Sequence, residues 1–324
     1  MIWYKKFIKT SFQIIFICFS TSKSYADVKK DVTSAIEESF SFVPLSLLEK
    51  AQISKISIRW SSAPVSLHEE EKPTHARFIP QDNPSHILIE IHPGLKKVKS
   101  LIAHEWFHGF HYSLVPQEET WLKEGMAQTF EYLLYHTIHF DNLMSSEKIF
   151  ERNPFFYNSF EGKKRIPYQY GLSFLWTWYL ISHCSNEKPK DLFFKILEVD
   201  SKFTGIKRLK EALKNTKCDS IENTYLDFQV ARILNQKIIN EKDIDLKFFL
   251  INETKKVKHK WTSLETLKTL SPWSPAKLEY PLSPEQNLVL KNKKFIGKWI
   301  HLNYPYEESI LPKNSYFYVG FPTL

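Results

Sequence analysis

The segment Leu101-Ile102-Ala103-His104-Glu105-Trp106-Phe107-His108-Gly109 concentrates the chemistry of this chain. It is an H-E-x-x-H pattern inside a stretch whose periodicity predicts a helix. Histidines four apart share one helical face about 6 Å apart along the axis, so their imidazole nitrogens can converge on one metal ion. Glu105 stands about 100° round the helix from His104. It can reach water bound at such an ion without itself being a ligand. The chemistry of that pattern is proton abstraction from a metal-bound water, with two imidazoles as the first ligands.

A tetrahedral catalytic site needs a third protein ligand and an open fourth position. The stretch Trp121-Leu122-Lys123-Glu124-Gly125-Met126-Ala127 offers Glu124. From His108 to a helix end near Leu114 the rise is about 9 Å, and Glu124 lies about 6 Å back along a second helix starting at Thr120. An antiparallel pair therefore returns Glu124 to the level of His108. His111 is the rival, but it sits about 10 Å from His104 along the axis, too far for all three histidines to share one ion. It reads as a packing or supporting histidine. Glu118 and Glu119 read as loop acids, and His136 and His139 as polar-edge residues.

Together, His104-Glu105-x-x-His108 and Trp121-Leu122-x-Glu124-Gly125-x-Ala127 resemble the gluzincin metallopeptidases, especially the peptidase-MA-like families. The resemblance covers roughly residues 50–235. It implies a zincin-like, mainly helical catalytic domain and Zn2+ held by His104, His108 and Glu124. Glu105 would be the general base in hydrolysis of a peptide bond. Pro167-Tyr168-Gln169-Tyr170-Gly171 is similar to the Pro-Tyr-x-x-Gly segment of gluzincin aminopeptidases, which implies Tyr168, rather than Tyr170, as the oxyanion donor. Gln128 stands where thermolysin-like members carry a supporting aspartate, and the Gly-x-Met-Glu-Asn segment that grips a free N-terminus is absent. The expectation is therefore a peptide or protein substrate cut at internal bonds. The competing expectation is an exported, non-catalytic binding or scaffold protein with a structural or vestigial zinc site.

Elements must position these groups. Asp31–Leu48 reads as a helix, Ile53–Trp60 as a half-buried strand, and His86–His92 as a second strand with Ile87, Ile89 and Ile91 on one face. That second strand is expected either to pair with an extended substrate or to serve as a plain edge. Lys96 to about Leu114 and Thr120 to about His139 are the metal-bearing helices. Helical periodicity continues over Tyr168–Cys184, Asp191–Val199, Gly205–Asn215 and Ser220–Gln236. Beyond residue 242, prolines and short runs at Asn287–Leu290, Lys298–Tyr304 and Ser315–Phe321 suggest a small β-rich accessory domain. The fold class expected is α+β: a small mixed sheet, then a mainly helical catalytic domain over 27–241, then a β-rich domain over 242–324.

The first 26 residues read as an export leader. Lys5, Lys6 and Lys9 precede the apolar Ile14–Phe19, and Ser24-Tyr25-Ala26 supplies a small-x-small cleavage pattern. The apolar stretch falls short of the ~20 residues needed to span a bilayer, so no integral membrane segment is expected after cleavage. Destination is the periplasm or the external medium. The net charge of +8 falls to +4 without the leader, which takes four lysines and no acid and leaves 40 bases against 36 acids. No basic stripe with interleaved aromatics is present, and a nucleic-acid partner is not expected. Three cysteines exclude a disulfide scaffold, and the absence of CxxC excludes cysteine-rich zinc modules. Cys184 and Cys218 remain available for one bridge in an oxidising compartment.

Overall fold

In the sheet that precedes the two metal-bearing helices, three strands run parallel and one antiparallel, as the α+β expectation requires. The computed structural model describes residues 13–17, 23–61, 76–92, 98–139, 142, 155, 160–161, 164–165, 167–218, 220–234, 264–269, 276–279, 282–292, 294–301 and 316–322. Strands β1 (Gln13–Ile17), β2 (Lys55–Trp60), β3 (Ala76–Ile79) and β4 (His86–Ile91) lie in the order β1-β2-β4-β3. β1 and β4 flank β2 in parallel; β3 runs antiparallel to β4 with Phe78 opposite Ile89. The substrate-pairing role expected of the His86–His92 strand is thereby corrected. β4 has a neighbour on each side, and among the described residues the open edge on that side belongs to β3.

Part of the segment read as a leader lies among the described residues. Gln13–Ile17, which overlaps the apolar run, forms β1, and Ser24–Ala26 falls in the first turns of α1 (Lys23–Phe42). A parallel pair needs a crossover between its strands, and α1 with α2 (Leu45–Ala51) provides it. The helix expected over 31–48 is two helices, because Pro44 cannot continue α1. Its carbonyl instead accepts the first bonds of α2, from Leu47 and Leu48.

The chain divides into two compact units, residues 1–138 with 159–165 and 190–212, and residues 139–158 with 166–189 and 213–324. In the first, α3 (Val98–Leu114) lies against β3, β4, α1 and α4 (Thr120–Tyr135). Ile87, Ile89 and Ile91 are fully buried, as their alternation predicts. Aromatic packing fastens α3 to its neighbours: Phe40 meets Trp106 at 5.0 Å, Phe107 meets Phe130 at 4.8 Å and Phe193 at 5.5 Å. Gly109 permits this approach, since a Cβ there would stand 2.6 Å from Cγ2 of Ile87. Hairpin strands β5 (Phe160–Glu161) and β6 (Lys164–Arg165), helix α6 (Pro189–Glu198) and most of α7 (Gly205–Leu213) complete the unit.

The second unit holds α5 (Pro167–Cys184) and α8 (Ile221–Leu234). Trp176 contacts Tyr225 at 5.2 Å and Phe228 at 5.3 Å between them, and Cys184 and Cys218 form a disulfide. Then come α9 (Leu264–Thr269), β7 (Ala276–Glu279), α10 (Pro284–Asn292), β8 (Phe295–His301) and β9 (Tyr316–Pro322). β9 lies between β7 and β8 in an antiparallel sheet, and α8 packs against β8 and β9. The described C-terminal stretch groups with α5 and α8 in one unit and mixes helix with strand.

Asn287–Leu290, expected to be extended, is helical. Ser283 and Gln286 satisfy each other's main-chain amides reciprocally, Gln286 N to Ser283 Oγ at 3.1 Å and Ser283 N to Gln286 Oε1 at 2.9 Å. With proline at the first helical position, this S-P-E-Q segment is a capping box that starts a helix. No helix among the described residues is long and apolar enough to cross a membrane. The basic cluster Lys255–Lys260 and the acidic run Glu69–Glu71 lie outside the described residues.

Candidate metal centre

The i, i+4 spacing on α3 does what helix geometry requires of it. His104 and His108 present Nε2 atoms 3.1 Å apart, their rings edge to face at 4.7 Å between centroids. α4 returns beside α3, and Oε2 of Glu124 lies 3.7 Å from His104 Nε2 and 3.6 Å from His108 Nε2. Two donors bonded tetrahedrally to one zinc at ~2.05 Å are about 3.3 Å apart. A triangle of 3.1, 3.6 and 3.7 Å therefore fits a single ion held by all three residues. Among the described residues no other group of histidine, cysteine or carboxylate donors meets on one ion in this way. Three protein ligands leave one corner of a tetrahedron for solvent or substrate. The three side chains keep 12–16% of their surface exposed, so the group is not sealed from solvent.

Charge also favours a cation here. Glu124, Glu131 and Glu105 surround His104; burial resists a charge on its ring, but the three carboxylates outweigh that and raise its pKa to about 10. Burial would likewise push Glu124 up, yet the rings of His108 and His104 bring it well below the usual carboxylate range. Ionised carboxylates next to imidazoles favour a divalent ion, which would replace the proton on His104.

Glu105 follows His104 on α3 and is buried. Its Oε2 accepts a hydrogen bond from the main-chain N–H of Phe78 at 2.7 Å. Burial raises its pKa, opposed by His104, His108 and the Phe78 amide. A carboxylate raised in this way, beside the ligands without being one of them, suits a proton acceptor.

Glu131, which the motif reading did not single out, stands behind the ligands. Its Oε2 lies 3.4 Å from His104 Nδ1, the nitrogen opposite the one that faces Glu124, and its side chain is buried. A carboxylate on the far nitrogen of a ligating histidine fixes the ring and its tautomer. Glu131 is two turns after Glu124 on one helix face. The visible signal was a lone acid within the apolar run Thr129–Tyr135. Gln128, expected at the supporting position, turns its amide to the Glu124 carbonyl at 3.4 Å.

His111 is not a ligand. It is fully buried, with Nε2 3.8 Å from Glu118 Oε2. Glu118, read as a loop acid, is a buried hub. It pairs with Arg208 Nε at 2.7 Å and accepts the main-chain N–H of Gly205 at 2.6 Å and of Glu119 at 2.9 Å. Arg208 caps the end of α6, donating to the carbonyls of Ile196 at 2.9 Å and Val199 at 3.0 Å. Gly205 adopts φ +52°, and any Cβ there would collide with the Glu119 carboxylate. His136 closes α4 in a left-handed conformation at φ 52°, away from the metal ligands in sequence and role. Tyr168 lies in the first turn of α5, in the second unit; its side chain is outside the described residues.

No family model matches the chain, and no curated protein matches it.

Proposed function

We propose that the protein is an exported zinc-dependent metallopeptidase that hydrolyses internal peptide bonds. The observation that carries this reading is the donor triangle of His104, His108 and Glu124 with the buried carboxylate of Glu105 beside it. His104, His108 and Glu124 would hold the ion, and Glu131 would steady His104. When bound, such an ion lowers the pKa of water towards ~7 and polarises a carbonyl oxygen. Glu105 takes the proton released as the scissile carbonyl is attacked and delivers it to the departing amine.

Among the described residues β3, not β4, forms the edge of the sheet, so an extended substrate chain would lie along β3, with the Phe78 N–H already given to Glu105. Tyr168 is assigned as the donor to the developing oxyanion on the Pro-Tyr-x-x-Gly resemblance. A purely structural zinc site has no use for a carboxylate at the position of Glu105, which favours the catalytic reading over the scaffold one. Export is supported by the leader-like composition of residues 1–26 and by the Cys184–Cys218 disulfide, which persists in oxidising compartments.

The test is cleavage of an unfolded protein such as casein by the purified chain. Activity should vanish with a chelator and return with Zn2+. Glu105→Gln should bind the ion with unchanged stoichiometry and lose roughly 10²–10⁴-fold in kcat. Cleavage insensitive to chelator, or a fully active Glu105→Gln, would refute the proposal.

A further inference from the structure

β3 carries a main-chain donor that is given to a side chain and not to β4. In an antiparallel ladder, successive residues alternate between those whose amides face the neighbouring strand and those turned away. Phe78 sits opposite Ile89 of β4, yet its N–H donates to Oε2 of Glu105 at 2.7 Å. That amide therefore points away from β4, along an edge with no strand neighbour among the described residues, and meets an ionisable carboxylate there. Bonds from a backbone N–H to a charged oxygen are among the stronger ones a protein makes.

The strand is held on both sides of this donor. The Phe78 ring packs at 5.7 Å against Tyr112, a residue of the same helix as Glu105. Arg77, the preceding residue, grips Glu90 of β4 through Nε at 2.8 Å and Nη2 at 2.7 Å, with Arg77 and Glu90 directly paired in the register. The amide is thus placed by two independent contacts, an apolar one to α3 and an ionic one to β4.

We infer that the main-chain N–H of Phe78 is a positioning group for Glu105. It holds Oε2, selects one orientation of the carboxylate beside His104 and His108, and leaves Oε1 as the oxygen that takes a proton. The catalytic part of this statement rests on the peptidase reading above; the orienting bond itself does not.

Two measurements on the full chain separate these parts. Amide exchange by NMR should show Phe78 protected in the native protein and roughly tenfold faster or more in Glu105→Ala, with Arg77 and Ile79, whose amides turn towards β4, little changed. Equal exchange at Phe78 in the two proteins overturns the inference. Phe78→Pro deletes the donor at an edge position where proline is tolerated. It should lower kcat on casein roughly ten- to a hundredfold with KM little altered. A raised KM with kcat intact would mean that the amide serves substrate rather than Glu105, and also overturns it. A native protein that cleaves nothing defeats the peptidase reading, while the exchange result still decides whether Phe78 orients Glu105; should the proline variant not fold, exchange decides alone.

Discussion

His104 is where the electrostatics of the centre and its metal chemistry meet. In the metal-free protein its pKa stands at about 10, above the ordinary 6.5. The ring is therefore protonated at pH 7, and that proton must leave when an ion binds. Calorimetric titration of Zn2+ at pH 7 in buffers of differing ionisation enthalpy should register release of about one proton per ion. Release of none would mean a neutral ring. Affinity should accordingly weaken as pH falls. The same raised pKa stabilises the metal-free fold fully below pH 6.5, and this contribution is lost as pH rises towards 10. Glu131→Gln keeps the volume behind His104 and removes the charge, so metal affinity should fall about 10–100-fold, read by competition with a chromogenic chelator. Unchanged affinity would reduce Glu131 to packing.

At the scale of elements, α3 and α4 are held by buried pairs as well as by aromatic packing. Glu118, between α3 and α4, and Arg208 of α7 are both fully buried and bonded to each other. Removing one partner of such a pair leaves an uncompensated charge and costs about 3–5 kcal/mol. Arg208→Met should therefore lower stability in urea by that amount, with the double variant Arg208→Met, Glu118→Leu recovering part of the loss. An additive double variant would show that the two groups are not coupled. A second tie is Glu38 of α1, which bonds Lys99 of α3 at 2.7 Å and Tyr135 of α4 at 2.6 Å. Burial would raise its pKa, but Lys99, Ser34 and Tyr135 hold it at about 2. Its contribution is present above pH 4.5 and fades as pH falls towards 2.

For the molecule as a whole, the open question is what oxidation and processing do to the fold. The Cys184–Cys218 bridge closes a loop of sequence separation 34. Closing such a loop stabilises by about 3–4 kcal/mol in the chain-entropy view. Replacing both cysteines by serine should lower stability by that amount, measured in urea, and a loss under about 1 kcal/mol would place the stabilisation elsewhere. Leader cleavage after Ala26 would remove β1 and cut within α1, leaving the outer edge of β2 without its parallel partner. The intact mass of the protein isolated from its native cells and their medium distinguishes a chain beginning at Asp27 from one that keeps its first strand.

The grouping of His104, His108 and Glu124 was legible in the linear chain because its information is local. An i, i+4 pair lies on one helix face whatever surrounds it, and the Glu124 position follows from two helix lengths and one turn. The alternation Ile87–Ile89–Ile91 was readable for the same reason, since period two reports a buried sheet face. Local signals were also overlooked: Pro44 breaks a helix, and the Ser283–Gln286 box starts one. Other features were not in the chain's local pattern at all. Strand order decided that β3, not β4, carries the open edge, because neighbours in a sheet are set by crossovers and not by the composition of any one strand. Partner choice decided that Glu118 is a buried hub, that His111 supports it, and that Glu131 and the Phe78 amide flank the centre. Burial and pairing at long sequence separation depend on which faces the packed core brings together, and only the tertiary structure determines that.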